Sequence, residues 1–301
     1  MIYKPSTSER VFDITNCISL ALLSLLCLYP FWYAIIIAFN DGVDSAMGGI
    51  YLWPRVFTLQ NMQVVLQDGS IIHGFWISVG RTLLGSTLSI FFTAMISWGV
   101  SRRELIGRKH IITFLFITML FNGGIIPYYL LLHKLHLINN FLVYVIPGLF
   151  STWNLIIMQS SYREIPEEVI ESAKIEGAND MWIFLKIGLP LVKPMIAALF
   201  LFTAVGHWND WFSGAFYVSK DSLRPLATQI QRMNAQSQAG TNMASIATMS
   251  NYNRISDVAG GSTPKSIHMA TLVLATVPIL VLYPFLQGYF VKGVMIGSIK
   301  G

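Results

Sequence analysis

The stretch that decides the fold is Ile14–Phe39, ITNCISLALLSLLCLYPFWYAIIIAF, because none of its residues is charged. A helix that crosses the hydrocarbon core of a bilayer needs about 20 consecutive apolar residues. Further blocks that charged residues hardly enter follow along the chain, approximately Phe75–Ser101, Ile111–Leu132, Phe141–Ser160, Leu191–Phe212 and Met269–Val291. Because lipid cannot satisfy free backbone polar groups, the blocks predict an all-α, polytopic membrane protein with six transmembrane helices.

The composition of the chain agrees with this prediction. Hydrophobic residues make up 54% of the sequence and charged residues 12%, whereas soluble domains are roughly 25% charged. One apolar block is compatible with a buried helix of a large soluble protein, but six in one chain are not. The first block exceeds the length of a signal-peptide core and no small-residue cleavage site closes it, so we expect a retained anchor. Cys17 and Cys27 lie inside it, where thiols usually act as apolar fillers, and predict neither a disulfide nor a metal site.

Basic residues set the predicted orientation, since they concentrate in the cytoplasmic connections of membrane proteins. The very short connection after the second block holds Arg102, Arg103, Arg108 and Lys109. Placing it in the cytoplasm puts both termini there, and leaves 40–74 and 213–268 as long outer loops that face the compartment delivering substrate. This topology accounts for the net charge of +5, so no nucleic-acid partner is implied.

A cytoplasmic loop at 162–190 has the most distinctive sequence, and it predicts two short helices. Pro166 suits the first helical position and Gly177 the left-handed end of the first helix. Val169, Ile170 and Ala173 share a small apolar face at helical spacing. The acids of the loop outnumber its bases and are Glu164, Glu167, Glu168, Glu171, Glu176 and Asp180. Helices that lie on headgroups usually carry basic faces, so the acidic character favours docking into a protein groove over a solvated loop on the membrane surface.

A family resemblance lies in the same loop. Glu171-Ser172-Ala173, then Gly177, then Ile187-Gly188-Leu189-Pro190 resemble the Glu-Ala-Ala signature of ABC importer permeases, with Ser in place of the first Ala. The resemblance implies that the first short helix is a coupling helix, which sits in a cleft of a partner ATPase. The residues that it assigns to ATPase coupling are Glu167, Glu168, Glu171, Ser172, Ala173, Glu176, Gly177 and Ala178.

The resemblance extends over nearly the whole chain. Phe121–Pro127 (FNGGIIP), Trp208–Trp211 (WNDW) and Tyr289–Gly301 (YFVKGVMIGSIKG) look like the carbohydrate, maltose-type branch, and most like subunits for complex oligosaccharides such as the alginate-oligosaccharide importer. In maltose-type relatives, one permease subunit extends its C-terminal tail between the ATPases. The small, flexible, basic tail at 292–301 matches that subunit, and places at the ATPase interface Lys292, Gly293, Gly297 and Lys300.

The implied function is that of the transmembrane subunit of an ATP-driven importer of sugars, with oligosaccharides favoured. The chain, a single permease domain over residues 1–301, would work by alternating access in the lipid of a prokaryotic plasma (inner) membrane. Its implied partners are a second permease subunit in a heterodimer, two ATPase subunits and a solute-binding protein. The chain has no G-x-x-x-x-G-K-[ST] phosphate loop, so we expect a non-catalytic subunit without cofactors, with ATP and Mg on the partner ATPase. A gradient-driven secondary transporter is the alternative, and would need ionisable residues deep in the membrane.

Polar residues inside the blocks are candidates for the substrate path, because their burial in lipid is costly. The candidates are Asn154, Trp208, Asn209 and Asp210. Asn154 is slightly better explained as a helix–helix hydrogen bond, and the tryptophans at 208 and 211 equally as an interfacial aromatic belt. Arg81 is expected to snorkel to the outer interface rather than to line the path. No residues have the spacing of a catalytic or metal-binding constellation.

Overall fold

The computed structural model describes residues 7–121, 123–239 and 261–298, and in these ranges the chain is helical, as predicted. No β-strand occurs there, apart from an isolated antiparallel bridge between Asn40 and Phe57. The α-helices are α1 (Thr7–Ala38), α2 (Gly42–Met47), α3 (Gln60–Gln67), α4 (Gly69–Ser101), α5 (Arg108–Leu120), α6 (Ile125–Lys134), α7 (Thr152–Arg163), α8 (Glu167–Ile175), α9 (Asp180–Ile183), α10 (Leu189–Leu191), α11 (Lys193–Asn209), α12 (Phe212–Phe216), α13 (Leu226–Ala239) and α14 (Pro264–Ser298). Short 3₁₀ turns cover Phe141–Tyr144, Ile146–Gly148 and Asp221–Leu223, and a π-helical turn covers Phe184–Gly188.

Three of the predicted blocks correspond to single continuous helices that are long and apolar enough to cross a membrane. These helices are α1, α4 and the segment Pro264–Leu282 of α14. The third block is divided between α5 and α6. The fourth bends by 45° before α7, and a bend of 81° lies at the start of the fifth, between Leu191 and Lys193. The expectation of exactly six transmembrane helices is therefore not confirmed: in the described part of the chain three helices, or up to six segments if each bent pair is one span, are long and apolar enough to cross a membrane.

The breaks have local causes. Pro147 and Gly148 lie in a 3₁₀ turn, and Ser151 then starts α7 by accepting a hydrogen bond on Oγ from the Asn154 backbone N–H at 3.3 Å. Pro190 and Pro194 flank the bend before α11. Proline lacks a backbone N–H and its ring clashes with the preceding turn, so it disrupts the hydrogen-bond ladder of a long helix.

The chain divides into two compact units, one of Met1–Gly69 with Arg232–Thr276 and the other of Ser70–Gln231 with Val277–Gly301. The single permease domain over residues 1–301 that the sequence predicts stays a prediction. Both segments predicted as long loops contain helices: α2 and α3 lie within 40–74, and α13 and all but the first residue of α12 lie within 213–268. Apolar periodicity does not reveal side-chain caps, which help to stabilise such short helices. At the start of α2, for example, the Asp41 carboxylate accepts a hydrogen bond from the Asp44 backbone N–H.

In the first unit, three buried polar residues, Asn40, Asn61 and Ser266, form a cluster that we call the amide knot. Asn61 Nδ2 donates to the carbonyl oxygens of Ala38 at 3.0 Å and of Asn40 at 2.7 Å, and its Oδ1 accepts from Ser266 Oγ at 2.8 Å. Asn40 Oδ1 accepts from the Val56 backbone N–H at 2.9 Å. The knot thus joins the end of α1 to α3 and to the beginning of α14.

In the second unit, a buried apolar cluster joins α4, α7, α8 and the π-helical turn after α9. We call it the α8 anchor, and its members include Ala94, Trp98, Met158, Tyr162, Ile170, Ala173, Ile183 and Phe184. The Trp98 ring packs edge-on against Tyr162, with centroids 5.3 Å apart, and lies 6.2 Å from the Phe184 ring. A short helix between two membrane segments is thereby fixed to the long helix α4.

Candidate functional site

The start of α8 follows the prediction within one residue. Pro166 is the N-cap, with φ −56° and ψ 135°, and Glu167 is the first helical residue, so the expectation that Pro166 occupies the first helical position was wrong by one position. The extended ψ of Pro166 places it outside the helix. Glu167 and Glu168 fill the first turn, where carboxylates complement the positive end of the helix dipole.

The end of α8 is built on Gly177, which has φ +86°. The Ala178 N–H donates to the Ala173 carbonyl and the Gly177 N–H to the Lys174 carbonyl, both at 3.0 Å. This pair of bonds is the Schellman motif, in which a left-handed residue satisfies the last carbonyls of a helix. Ala178 also packs beside Ala173 at the α8 anchor. The prediction of a left-handed glycine at this position is confirmed.

The buried face of α8 consists of Ile170 and Ala173, both in the α8 anchor. Val169, expected on the same face, is 40% exposed. Successive helical residues are rotated by about 100°, so Val169 lies well to one side of the midline between Ile170 and Ala173. The apolar face is therefore narrower than the sequence predicted.

The opposite face of α8 points to solvent and combines charge with one large apolar side chain. We call it the exposed face of α8; it consists of Glu168, Glu171, Ser172 and Ile175. Their spacing of i, i+3, i+4 and i+7 places them on one side of the helix. Ile175 is 87% exposed. Ile175 was not predicted as part of this face, although its spacing of seven residues from Glu168 and four from Glu171 places it on the same side of a helix.

Ion pairs connect the flanks of α8 to neighbouring segments. Lys174 Nζ lies 3.2 Å from Glu104 Oε2 and 3.9 Å from Asp180 Oδ1, and Arg103 Nη1 lies 3.5 Å from Glu167 Oε2. Exposed pairs of this kind each contribute about 0–1 kcal/mol. Within the described ranges, no ion pair involves the carboxylates of the exposed face. Those carboxylates are therefore available to a partner.

A glycine and an arginine complete the surroundings of the α8 anchor. A Cβ added to Gly188, the glycine of Ile187-Gly188-Leu189-Pro190, would lie 2.8 Å from Trp98 Cζ3, so close packing requires glycine there. The Arg102 guanidinium lies over the Trp98 ring, 4.3 Å from its centroid. Burial lowers the pKa of Arg102, and the negative charges of Glu167 and Glu104 partly oppose that shift. Trp98 is thus covered by Gly188 and Arg102.

The four candidates for the substrate path have different surroundings. Asn154 is buried and its Nδ2 donates to Thr203 Oγ1 at 3.2 Å, which joins α7 to α11. Trp208 is also buried, against the edge of Phe75 at a centroid distance of 5.9 Å, and lines an apolar cavity of about 130 Å³. Asn209 is exposed and Asp210 is half-buried. The run from 208 to 210 therefore does not present its three side chains to one surface.

Arg81 is fully buried, and the expectation that it snorkels was wrong. Its Nη1 lies 3.5 Å from Asp210 Oδ2, and its Nη2 donates to the backbone carbonyls of His207 and Asp210. Its guanidinium also lies 5.1 Å from the centroid of the Tyr144 ring. A buried charge is tolerated when such partners surround it, and these partners are remote in sequence. The arginine holds α4 to the end of α11.

The C-terminal segment is helical further than predicted. The backbone of α14 continues through Ser298, so Gly293 and Gly297 lie in a helix and not in a flexible tail. The side chain of Lys292 and the whole of Lys300 lie outside the part of the chain that the structure describes.

Comparisons with known proteins agree with this architecture. The chain is 33% identical over 294 residues to Protein LplC of Bacillus subtilis (strain 168), covering 97% of this chain and 96% of LplC. It is also 33% identical over 295 residues to the Polygalacturonan/rhamnogalacturonan transport system permease protein YtcP of the same organism, covering 97% of this chain and 99% of YtcP. A solved structure, described as that of a bacterial ABC transporter involved in the import of the acidic polysaccharide alginate, has a similar fold, with TM-score 0.84, 24% identity, and coverage of 96% of this chain and 99% of that one.

The family assignment rests on a match over most of the chain. Residues 7–296 match the family described as Binding-protein-dependent transport system inner membrane component. That range contains the α8 anchor, the Schellman motif at Gly177 and the close contact of Gly188 with Trp98. The resemblance to ABC importer permeases drawn from the sequence is thereby confirmed, and the chain belongs to the family of inner membrane components of binding-protein-dependent transport systems.

Proposed function

We propose that this chain is the transmembrane subunit of an ATP-driven importer of oligosaccharides, and that the exposed face of α8 is its contact with an ATPase. One observation carries the proposal: α8 is fixed to α4 and α7 on one side and presents carboxylates with a solvent-exposed Ile175 on the other. An isolated surface helix would gain nothing from exposing Ile175. A helix that docks in a protein groove would bury it.

The proposed substrate class follows from the relatives. YtcP is described as a permease for polygalacturonan and rhamnogalacturonan, and 33% identity over nearly the whole of both chains supports a related substrate. We therefore extend oligosaccharide transport to this chain, with acidic oligosaccharides as the first to test. A binding protein, implied by the family description, would deliver the sugar.

The proposed coupling uses the α8 anchor. An ATPase that moves α8 would also move the residues against Ile170 and Ala173, which include Trp98 on α4 and Tyr162 on α7. Close-packed side chains transmit displacement with little compression. ATP binding by two ATPase subunits would thus shift this permease and a second permease subunit between two states, each favoured by different contacts.

Two alternatives account less well for the same features. A helix resting on anionic headgroups would be repelled through its acidic face. A gradient-driven transporter needs titratable residues exposed to the transport path. The buried charge in α4, Arg81, is instead enclosed by Tyr144, Asp210 and backbone carbonyls.

The remaining site assignments are also proposals. We propose that Asn209, exposed at the end of α11, contributes to an entry surface, together with Asp210. Asn154 and Trp208 would act behind that surface as packing residues of α7 and α11. At the other end of the chain, we propose that Lys292, Gly293, Gly297 and Lys300 lie at the ATPase interface.

The decisive experiment co-expresses the chain with a candidate ATPase and a partner permease, and compares Ile175→Asp with Ile106→Asp. Ile106 is a matched control because it is 94% exposed and lies in the neighbouring 102–107 connection, outside α8. Placing a charge in a docked apolar position should weaken assembly at least about tenfold. We expect Ile175→Asp and Glu171→Lys to lose complex formation and binding-protein-stimulated ATPase activity, with normal membrane insertion.

The complex that contains the control variant Ile106→Asp should assemble and hydrolyse ATP like the wild-type complex. Assembly of Ile175→Asp and Glu171→Lys at wild-type levels would contradict the coupling role of α8. The substrate class is tested separately, by ATPase stimulation with binding protein loaded with oligogalacturonides or with neutral maltodextrins.

A further inference from the structure

A cavity beside the beginning of α5 is lined by an unusual concentration of positive charge. Its volume is about 590 Å³, within the range of sites that hold small ligands. The residues that give the cavity its charge are Arg103, Arg108, Lys109 and Arg163. We call it the basic pocket. Gly107, with φ +75°, turns the chain into the 13-residue helix α5 there, and the N-terminus of a helix adds positive partial charge.

Most of these cations lack an acidic partner. Arg103 pairs with Glu167, but within the described residues Arg108, Lys109 and Arg163 have no carboxylate within 4 Å. Arg108 and Arg163 belong to different helices, α5 and α7, and both line the cavity. Like charges held together around a cavity destabilise the empty protein and favour an anion between them.

The wall of the pocket continues into an apolar helix surface. Ile112 lines the pocket, and Phe116 and Met119, four and seven residues further along α5 and hence on the same side of the helix, have exposed side chains. No residue of α5 is buried within the chain. A ligand that extends from the pocket along α5 would therefore meet charge at one end and hydrocarbon along the rest.

We propose that the basic pocket binds the phosphate group of an anionic membrane phospholipid, whose acyl chains lie along α5. Arginine presents planar paired donors that match phosphate oxygens, and Arg108 and Arg163 approach from α5 and α7. A free inorganic anion would use the same donors but not the apolar side chains beyond Ile112. This combination favours a lipid over a soluble phosphate.

A protein segment is the competing occupant, and the neighbouring cavity shows where one would fit better. That cavity, of about 570 Å³, shares Arg103, Arg108 and Arg163 with the basic pocket but is also lined by Glu164, Glu167 and Glu168. Mixed charge suits a polypeptide. The basic pocket has no acidic lining residue, so a lipid phosphate suits it better.

The test measures lipid retained by the purified full-length complex. The complex is reconstituted in nanodiscs of phosphatidylcholine with increasing phosphatidylglycerol, and bound lipid is measured by native mass spectrometry. Arg108→Gln/Arg163→Gln is compared with Lys134→Gln/Lys186→Gln, which removes two positive charges outside the pocket. Two lost phosphate contacts should weaken phosphatidylglycerol binding about thirtyfold, while the control pair retains it.

A charge-preserving variant, Arg108→Lys/Arg163→Lys, distinguishes loss of positive charge from misfolding. It should retain most of the phosphatidylglycerol binding. Three outcomes would overturn the proposal. They are equal retention of phosphatidylglycerol by both neutralised pairs, displacement of the lipid by inorganic phosphate alone, and loss of ATPase assembly with unchanged lipid retention in the arginine pair. The last would assign the pocket to a protein partner. The readouts of lipid retention and of displacement by phosphate do not depend on α8 contacting the ATPase.

Discussion

In the amide knot, Asn40 and Asn61 direct their polar atoms inward and satisfy them within the chain. In α8, Ile170 and Ala173 are buried, and Glu168, Glu171 and the solvent-exposed Ile175 face outward. Both regions are short and both lie next to apolar helices. The polar atoms of the amide knot find their partners within the chain, whereas, in the described part of the chain, the exposed face of α8 lacks a partner for Ile175. Substitutions in the knot should therefore change stability, whereas substitutions on the exposed face of α8 should change assembly.

The largest effect is expected from Asn61→Leu. It leaves the Ala38 and Asn40 carbonyls without their donor, while Ser266 keeps its hydrogen bond to the Thr263 carbonyl. Each unsatisfied buried polar group costs about 1–3 kcal/mol. We expect the free energy of unfolding to fall by about 3 kcal/mol or more, measured by thermal unfolding in detergent. Asn209→Leu, at an exposed asparagine, is the control and should cause little change. Wild-type stability of Asn61→Leu would contradict the role given to the knot.

A smaller effect, on stability and assembly together, is expected from Gly188→Ala. The new Cβ would lie 2.8 Å from Trp98 Cζ3, and overpacking of this kind costs about 1–3 kcal/mol. Because Trp98 belongs to the α8 anchor, we expect a lower melting temperature and weaker ATPase stimulation. Gly99→Ala, in α4 with no neighbour within 4 Å, should have neither effect. If both alanine variants behave alike, the anchor does not position α8.

The smallest effect sharpens the comparison most directly, because Gly177 and Gly48 are both glycines with positive φ. Their φ values are +86° and +78°, and neither has an atom within 4 Å of an added Cβ. Alanine at Gly177 should cost about 1–2 kcal/mol of backbone strain, and alanine at Gly48 at least as much, because its ψ of −169° lies in a region that glycine alone populates readily. We expect both variants to lose stability, but only Gly177→Ala should reduce co-purification of the ATPase. Equal co-purification would show that the end of α8 is not part of the contact.

Local rules made the ends of α8 predictable, since a proline start and a left-handed glycine act within a few residues. The burial of Arg81 and Trp208 was not predictable in this way, because their partners lie in other helices. Helix breaks are an intermediate case. Pro190 and Pro194 flank a bend, yet Pro30 lies inside the unbroken α1. Proline therefore marks where a break is possible, and packing decides whether it occurs.

The enclosure of Arg81 has a consequence for biogenesis. The two carbonyls that accept its hydrogen bonds belong to residues 126 and 129 positions later in the chain, so α4 leaves the ribosome long before its counterpart exists. An arginine at the centre of a transmembrane helix costs about 2.5–3.5 kcal/mol during translocon insertion when it lacks partners. Arg81 therefore cannot reach its enclosed state until the residues at the end of α11 have been synthesised.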